Sequence, residues 1–276
     1  MNNPKVTVIT PTFNRADLLR ETISSILNQT FADFEYIIVD DGSNDHTAET
    51  LESFPDPRIS IIRQANQGEA AAINAGWRVA KGEYVAIVSS DDPMLPFWLA
   101  EVHSQLEKNP QAIVAYPDWL IIDGEGNSTT IIRTPVYDRF DMAATFASPV
   151  GPGGMIRKAA GDRMAEPRPV NLRFCGDLSA WLSLALLGDF IRVPKVLACH
   201  RVHAGSISSA ERTHSRADEI VALAYEFFFR SDLPPELVAI RHRGLSSAHR
   251  AAAWILEETD PIESANHTRR AEHIAP

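Results

Sequence analysis

The architecture is set by residues 6–15, which read Val6-Thr7-Val8-Ile9-Thr10-Pro11-Thr12-Phe13-Asn14-Arg15. A run of mostly β-branched residues closed by Pro11 is typical of a buried strand that ends in a loop. After Asn14, a candidate helix N-cap, apolar residues recur at spacings of three and four. These residues are Leu18, Leu19, Ile23, Ile26 and Leu27. The pattern predicts a strand followed directly by a helix that buries one face.

Strand and helix patterns alternate through about the first ninety residues. Further strands are predicted at 36–39, 58–62 and 84–88, with helices at 44–54 and 67–80 between them. Such alternation is typical of a parallel sheet whose strands are joined by right-handed helical crossovers. We therefore predict an α/β fold, with a Rossmann-like, mostly parallel sheet flanked by helices.

The second half of the chain has a less regular pattern. It is predicted to contain a helix at 96–108, strands at 112–116, 120–122 and 128–133, and a hairpin turn at 123–127. Residues 213–258 are predicted to be mostly helical, and about the last fifteen residues to be frayed. The α/β fold is thus expected to carry a C-terminal helical extension.

Composition narrows the class of protein. The 26 Lys and Arg residues against 36 Asp and Glu give a formal charge of −10, which argues against nucleic acid as a partner. Two cysteines cannot form a disulfide framework, which fits a reducing compartment. We find no apolar run of about 18 residues and no signal-peptide pattern at 1–5, so a cytoplasmic location is expected.

Polar clusters follow three of the predicted strands, at 11–14, 40–43 and 89–92. Ligands of such sheets bind at the carboxyl ends of the strands, so these clusters are expected to converge on one crevice. The turn after the first strand contains no glycine, which argues against a dinucleotide-binding fingerprint, and the chain has no P-loop motif.

The predicted crevice is rich in carboxylates, contributed by Asp40, Asp41, Asp91 and Asp92. Clustered carboxylates repel one another and are tolerated when a cation neutralises them. A hard divalent ion with oxygen ligands, itself bridging phosphates, is the natural candidate.

In order and spacing, six blocks of the sequence resemble the family 2 glycosyltransferases of the GT-A fold. The blocks are 6–15, 38–43, 66–68 with 74–76, 80–92, 176–181 and 201–208. The resemblance implies an inverting enzyme that uses a nucleotide sugar. It implies the nucleotide-sugar half at 1–110, the acceptor half at 111–210, and a helical extension at 211–276.

The resemblance also implies roles for individual donor-site residues. Pro11, Thr12 and Phe13 would form the floor for a uridine or thymidine base, and Asp41 would accept a hydrogen bond from the base N3–H. Asp91 would help to hold ribose or sugar. The other residues assigned to donor binding are Asn66 and Arg201.

The metal motif of the family matches Asp91-Asp92, and Asp92 would bind Mn²⁺ or Mg²⁺. Many family members carry a further Asp where this chain has Ser89. This departure leaves fewer charges for the ion, and His203 is assigned as a further ligand. A lone His is more often a satisfied structural residue, so both interpretations of His203 stay open.

Asp177 matches the catalytic base of the family. In an inverting transfer the acceptor hydroxyl attacks C1 opposite the leaving nucleotide, so the base lies apart from the metal cluster. The acceptor would be a hydroxyl of a glycan or a lipid-linked glycan. The loop 148–154, rich in small residues, is expected to admit it.

Each acidic residue also has a structural interpretation. Asp92 before Pro93 has the pattern of a helix N-cap with proline at the first helical position. Asp177 has the pattern of a cap for the helix that contains Trp181. Residues 40–43 have the composition of a tight turn.

The three consecutive phenylalanines at 227–229 point about 100° apart around a helix, so one core cannot easily cover all of them. A helix packed within the domain is the favoured interpretation. The alternative is that the C-terminal helices contact a second subunit, as a homodimer, or the inner face of a membrane.

Two other functions are alternatives to that of a glycosyltransferase. A sugar-phosphate nucleotidyltransferase shares the general architecture but needs a glycine-rich, arginine-containing loop after the first strand, which 11–15 is not. A non-catalytic nucleotide-sugar-binding protein is suggested by Ser89.

Overall fold

The computed structural model describes residues 3–203 and 212–275. Within these residues, eight strands form one sheet. The strands are β1 (Val6–Thr12), β2 (Phe34–Asp40), β3 (Ile59–Arg63), β4 (Tyr84–Ile87), β5 (Ala112–Ile122), β6 (Ser128–Ile132), β7 (Met155–Arg157) and β8 (Asp189–Arg201). Part of the last sequence motif, 204–208, and the predicted domain boundary at 210/211 lie outside the described residues.

The sheet has the order β3-β2-β1-β4-β7-β5-β6, and β8 pairs with β5. The pairs β1–β2, β1–β4, β2–β3 and β5–β8 are parallel, whereas β7 and β6 pair antiparallel to their neighbours. The mostly parallel α/β sheet predicted from the alternation is therefore confirmed. Because β1, β2 and β4 run in the same direction, the loops after them meet at one edge.

The helices described by the structure pack against both faces of the sheet. They are α1 (Ala16–Leu27), α2 (Thr47–Glu52), α3 (Glu69–Val79), α4 (Trp98–Lys108), α5 (Arg139–Thr145), α6 (Lys158–Gly161), α7 (Gly176–Ala185), α8 (His214–Phe229), α9 (Pro235–Ala239), α10 (Arg241–Leu256) and α11 (Pro261–Ile274). None of the helices in these described ranges is long and apolar enough to cross a membrane.

Each face of the sheet has its own core, because successive side chains of a strand point to opposite faces. Val8 of β1 and Ile38 of β2 pack in a cluster with α1 and α4. Ile9 and Ile37, one position away in each strand, pack in the other cluster with α3 and α7. Both faces are therefore covered, as a parallel sheet requires.

The C-terminal helices contribute to the second of these cores. Phe227 and Phe228 are buried, and the ring of Phe228 lies 6.1 Å from that of Phe146 in the segment after α5. Phe229 is 60% exposed, and the Arg241 guanidinium lies 4.7 Å from its ring centroid. The helix rotation thus buries two of the three rings against the domain and leaves the third at the surface.

Three details of the secondary structure differ from the prediction. Asn14 is not the N-cap of α1: it has a φ of 52°, and its side chain accepts a hydrogen bond from the Asn44 N–H instead. The strands predicted at 112–116 and 120–122 are one strand, β5, whose pairing with β8 shifts register around Pro117. A bulge accommodates the proline, which cannot donate a hydrogen bond in a regular ladder.

The predicted frayed C-terminus is also wrong, because residues 261–274 form helix α11. The Asp260 side chain caps this helix by accepting from the Glu263 N–H, 3.0 Å away, and Pro261 occupies the first helical position. An acidic N-cap, a proline and a glutamate three residues on are a local start signal that outweighs the polar composition of the segment.

Candidate active site

A cavity of about 660 Å³ lies where the loops after β1, β2 and β4 meet α3 and α7. Eight of the residues predicted for the site line it: Pro11, Thr12, Phe13, Asp41, Asn66, Asp91, Asp92 and Asp177. They come from positions up to 166 apart in the sequence (177 − 11). Arg201 and His203, also predicted for the site, do not line the cavity.

The loops after β1 and β2 are tied together by reciprocal hydrogen bonds. The Asn14 N–H donates to Oγ of Ser43 at 2.9 Å, and the Asn44 N–H donates to Oδ1 of Asn14 at 2.8 Å. Asp40 is buried and accepts from the Ser43 N–H, so the turn interpretation of 40–43 is correct for this residue. The turn places Asp41 toward the cavity.

The carboxylate of Asp41 is held by three donors. Oδ1 accepts from the Gln64 side chain at 2.8 Å and from the Gln67 N–H at 2.9 Å, and Oδ2 accepts from the Gly68 N–H at 2.7 Å. A carboxylate can accept about four hydrogen bonds. Asp41 is therefore fixed in place with about one acceptor site left for a ligand.

The floor of the cavity beside Asp41 has an unusual hydroxyl. Oγ1 of Thr12 is buried and has no hydrogen-bond partner among the described residues. Phe13, next to it, is 42% exposed at the cavity wall. An unsatisfied buried hydroxyl and an open aromatic ring are features of a surface that binds a polar, planar group.

Asp91 and Asp92 lie in the loop after β4, and this loop is hydrogen-bonded to β8. The Cys199 N–H donates to the Pro93 carbonyl, and the Arg201 N–H donates to Oδ1 of Asp92 at 2.8 Å. The α4 helix begins only at Trp98, so the interpretation of Asp92 as a helix cap is wrong. Its backbone donor comes from a distant strand.

Two histidines at the end of β8 contact these carboxylates. Nε2 of His203 lies 2.9 Å from Oδ2 of Asp91, and Nδ1 of His200 lies 3.4 Å from Oδ2 of Asp92. The hydrogen bond with Asp92 raises the pKa of His200, while burial raises the pKa of Asp92. His200 lines the cavity, although nothing in its sequence context distinguished it from other histidines.

Arg201 lies behind the cavity rather than in it. Its side chain is buried and donates to the carbonyls of Asp91, Asp123 and Gly124, and it forms an ion pair with Glu21. Its contacts with described residues thus brace the loop that carries Asp91 and Asp92. Strand alternation explains the placement, because His200 and Arg201 point to opposite sides of β8.

Asp177 is in the first turn of α7 and lines the cavity from this helix rather than from a loop at a strand end. The N-cap of α7 is Cys175, which makes no side-chain capping bond, and Oδ1 of Asp177 pairs with Nη2 of Arg168 at 2.5 Å. The side chain of Asp177 is 75% exposed. One oxygen of the carboxylate is thus paired with an arginine, and the side chain remains open to solvent.

The comparisons with known proteins agree with this geometry. The sequence model of the family described as "Glycosyl transferase family 2" matches residues 7–155. The chain belongs to glycosyltransferase family 2. An uncharacterized glycosyltransferase of Haemophilus influenzae is 30% identical over 223 residues, which cover 75% of this chain and 68% of that protein.

Solved structures confirm the predicted GT-A fold of this glycosyltransferase. The S. aureus TarS 1–349 structure in complex with UDP-GlcNAc superposes with a TM-score of 0.77 at 19% identity and covers 97% of this chain and 79% of that one. The mannosyltransferase PcManGT from Pyrobaculum calidifontis, in complex with GDP-Man and Mn²⁺, has a TM-score of 0.69 at 21% identity and covers 100% of this chain and 77% of that one.

A glycine-rich loop at 151–154 also lines the cavity of this glycosyltransferase. Gly151 lies so close to Trp119 that an added Cβ would be 2.5 Å from the indole nitrogen. The Gly153 carbonyl accepts from the Trp98 indole N–H at 2.7 Å, and Gly153 has a φ of 80°. Close packing against Trp119 and Trp98 therefore requires glycine at 151 and 153.

Sequence reasoning missed Glu69, the first residue of α3, which lines the cavity. Desolvation by the surrounding protein raises its pKa to about 7, and the negative charge of Asp177 adds to this effect. Solvent still reaches the side chain through the cavity. Its position directly after the 66–68 motif was the available signal.

Sequence reasoning also missed the cationic side chains that line the cavity: Arg15, Arg168, Arg173 and Arg216. They face five lining carboxylates, those of Asp41, Glu69, Asp91, Asp92 and Asp177. A cavity with this balance would gain further negative charge from a bound nucleoside diphosphate. Burial and repulsion from the carboxylates both disfavour this added negative charge, so a counter-cation is expected.

The side chains around Asp91 and Asp92 are of the chemical types that bind a divalent ion. No group of three or more His, Cys, Asp or Glu residues within the described ranges already surrounds a single metal position. The two contacts Asp91–His203 and Asp92–His200 nevertheless bring together carboxylate oxygens and imidazole nitrogens, which are ligands that Mn²⁺ accepts.

Proposed function

We propose that this glycosyltransferase moves one sugar from a UDP-activated donor to a hydroxyl of a glycan or lipid-linked glycan, with inversion at C1. The observation that carries the proposal is one cavity lined by Asp41, by the Asp91-Asp92 pair and, from helix α7, by Asp177. These residues supply a site for the base, a site for the diphosphate and a separate carboxylate on the acceptor side.

The preference for uracil rests on Asp41. Its remaining acceptor site suits a base that presents an N–H, and uracil presents N3–H where cytosine presents an unprotonated nitrogen. Thr12 and Phe13 would contact the same base. The TarS complex with UDP-GlcNAc agrees with a UDP donor, whereas the PcManGT complex with GDP-Man makes GDP the alternative.

Asp177 is proposed as the general base. As the acceptor oxygen bonds to C1, the hydroxyl proton passes to the Asp177 carboxylate. The bond from C1 to the donor phosphate oxygen breaks on the other face, and its electron pair leaves with the nucleoside diphosphate. Because Asp177 belongs to α7 and not to the loop after β4, the two events would take place on opposite faces of the sugar.

Asp92, with His203, is proposed to hold Mn²⁺ or Mg²⁺, and His200 lies near enough to Asp92 to take part. When bound, the ion would neutralise charge on the departing diphosphate. Asp91 would contact ribose or sugar. Arg201 would act on this site from behind, through the backbone that it braces, rather than by touching the nucleotide.

The experiment measures nucleotide binding and donor turnover in parallel. UDP, CDP and GDP are titrated calorimetrically with Mn²⁺ and with chelator, and nucleotide release is followed from UDP-glucose, UDP-N-acetylglucosamine and GDP-mannose. We expect UDP to bind best, more tightly with Mn²⁺, and Asp177→Asn to bind UDP normally but to lose release by about 100-fold or more.

Asp17→Asn, the same chemical change at an exposed position outside the cavity, is the matched control and should behave as wild type. Full turnover by Asp177→Asn would refute the assigned base. An absence of nucleotide binding by the wild-type chain, with or without Mn²⁺, would refute the donor site.

A further inference from the structure

The segment between α6 and α7 carries a buried arginine, Arg168. Its backbone is anchored by Asn74 of α3: the Arg168 N–H donates to Oδ1 of Asn74 at 3.0 Å, and Nδ2 of Asn74 donates to the Arg168 carbonyl at 2.7 Å. The guanidinium lies 5.5 Å from the Trp181 ring centroid. Backbone anchoring and stacking together fix where the guanidinium lies.

The ion pair between Arg168 and Asp177 is asymmetric. The Arg168 side chain is 6% exposed, whereas that of Asp177 is 75% exposed. Nη2 of Arg168 contacts Oδ1 of Asp177, but Nε and Nη1 are buried and have no hydrogen-bond partner among the described residues. The guanidinium therefore uses one of its three nitrogens, and uses it on the carboxylate in the cavity.

An arginine buried in this way does not favour the stability of the folded state. Burying a charge and leaving N–H groups unsatisfied disfavours the folded state, and apolar replacements of buried ion pairs are often neutral or stabilising. The chain course around Arg168 depends on the backbone bonds to Asn74, which do not require an arginine side chain. The guanidinium thus has a contact to Asp177 that stability alone does not explain.

We propose that Arg168 is a positioning residue for the transfer reaction: Nη2 holds Oδ1 of Asp177 so that Oδ2 is left to accept the proton of the acceptor hydroxyl. This inference rests on the proposed role of Asp177 as base. An exposed aspartate otherwise occupies several rotamers, and a misplaced base slows transfer even when the donor binds normally. The other charged groups on this part of the cavity are Glu69, Arg173 and Arg216.

The test uses the whole chain with Arg168→Met, Arg168→Lys and Arg168→Ala. Nucleotide release with Mn²⁺ is measured from whichever of UDP-glucose, UDP-N-acetylglucosamine and GDP-mannose the wild type turns over, and Tm is measured for each variant. For Arg168→Met we expect kcat to fall by about 10- to 100-fold, the donor KM to change by less than about threefold, and Tm to stay the same or rise.

Chemical rescue separates positioning from a structural role. Added methylguanidine should restore part of the turnover of Arg168→Ala, and should leave Asp177→Asn unchanged because that variant lacks the carboxylate. Arg168→Lys keeps the charge without the planar fork and should have a kcat between those of the wild type and Arg168→Met. If Arg168→Met proves poorly folded, the Lys variant and the rescue still test the proposal.

Three results would overturn the inference. One is wild-type kcat in Arg168→Met while Asp177→Asn is inactive, which would leave the proposed function intact. Another is a loss of turnover that occurs only in those Arg168 variants whose Tm is lowered and that methylguanidine does not restore. The third is an absence of turnover in the wild type with every donor, which would remove the proposed function and this inference together.

Discussion

The Arg201 N–H donates a 2.8 Å hydrogen bond to Oδ1 of Asp92 across 109 positions of sequence. The same residue's guanidinium contacts the carbonyls of Asp91, Asp123 and Gly124. The end of β8 therefore supports the acidic loop after β4 both through its backbone and through its buried side chain. The loop would not hold its shape by local interactions alone.

Replacing Arg201 by Met should destabilise the chain by about 2–5 kcal/mol, because the hydrogen bonds from its buried guanidinium to the carbonyls of Asp91, Asp123 and Gly124 would be lost. Urea unfolding measures the change. The ion-pair partner Glu21 is 53% exposed, so Glu21→Gln should cost no more than about 1 kcal/mol. Equal losses in the two variants would show that the surface ion pair, rather than the carbonyl contacts, stabilises the loop.

Asp41→Asn should abolish discrimination among nucleotides. The asparagine would place an amide donor against the donors of Gln64, Gln67 or Gly68, costing about 1–3 kcal/mol of stability, and would offer the base a weaker acceptor. We expect UDP affinity to fall about 10-fold or more and the preference over CDP to disappear, as measured by calorimetry. Gln64→Ala keeps the carboxylate and should keep the preference for UDP, whereas loss of the preference there would contradict the assignment.

Gly82→Ala should destabilise the chain by about 1–3 kcal/mol in thermal or urea unfolding. An added Cβ would lie 2.4 Å from the Thr7 nitrogen and 2.7 Å from the Val6 carbonyl carbon, so the start of β1 would have to move. Gly176 is the control, since it opens α7 and has no atom within 4 Å of an added Cβ. Gly176→Ala should be neutral or stabilise by up to about 1 kcal/mol, and a loss comparable to that of Gly82→Ala would contradict the packing argument.

The C-terminal helices should lose stability in mild acid. Nδ1 of His249 lies 2.9 Å from Nδ1 of His267; burial lowers the pKa of both imidazoles, assisted by their mutual repulsion at His249 and by Arg270 at His267. Both folded-state pKa values therefore lie below the ordinary value of 6.5. As the pH falls through about 6.5, the unfolded chain binds more protons than the folded chain, so the free energy of unfolding decreases.

The slope should reach at most about 1.4 kcal/mol per pH unit for each imidazole. Urea unfolding between about pH 7.5 and 5 measures it, and His267→Gln should flatten it. His242, on α10 but exposed, provides the control, and His242→Gln should keep the wild-type slope. Identical slopes in all three chains would mean that other groups cause any acid sensitivity.

The first half of the fold could be predicted because its signals are local. Each of β1, β2 and β4 is a short run rich in β-branched and aromatic residues that is followed by polar residues, and parallel strands bring their carboxyl ends to one edge. The positions of Asp41, Asp91 and Asp92 follow from this rule. The extra length of β5 and the existence of β8 did not follow, because proline at 117 and at 194 interrupts the pattern while long-range pairing maintains the strands.

The partners that hold the side chains of the site in place could not be predicted, for a different reason. Arg168 meets Asn74 across 94 positions, and the partner of the predicted site residue His203 is Asp91, 112 positions away. Nothing in the residues next to Arg168 indicates that it will be buried, or that its charge will face Asp177. Even the placement of Arg201 behind the cavity depends on which side of β8 it occupies once the register with β5 is set.

The amino-acid order alone was enough for the family, the sheet type and the acidic loops, since strand and helix periodicity and strand-end motifs act within a few residues. Only the folded chain determined which partner each carboxylate has: Gln64 and the 67–68 backbone for Asp41, Arg201 and His200 for Asp92, Arg168 for Asp177. The reason is that hydrogen bonds and ion pairs need contact within about 3–4 Å, and chain packing, not sequence separation, brings such groups together.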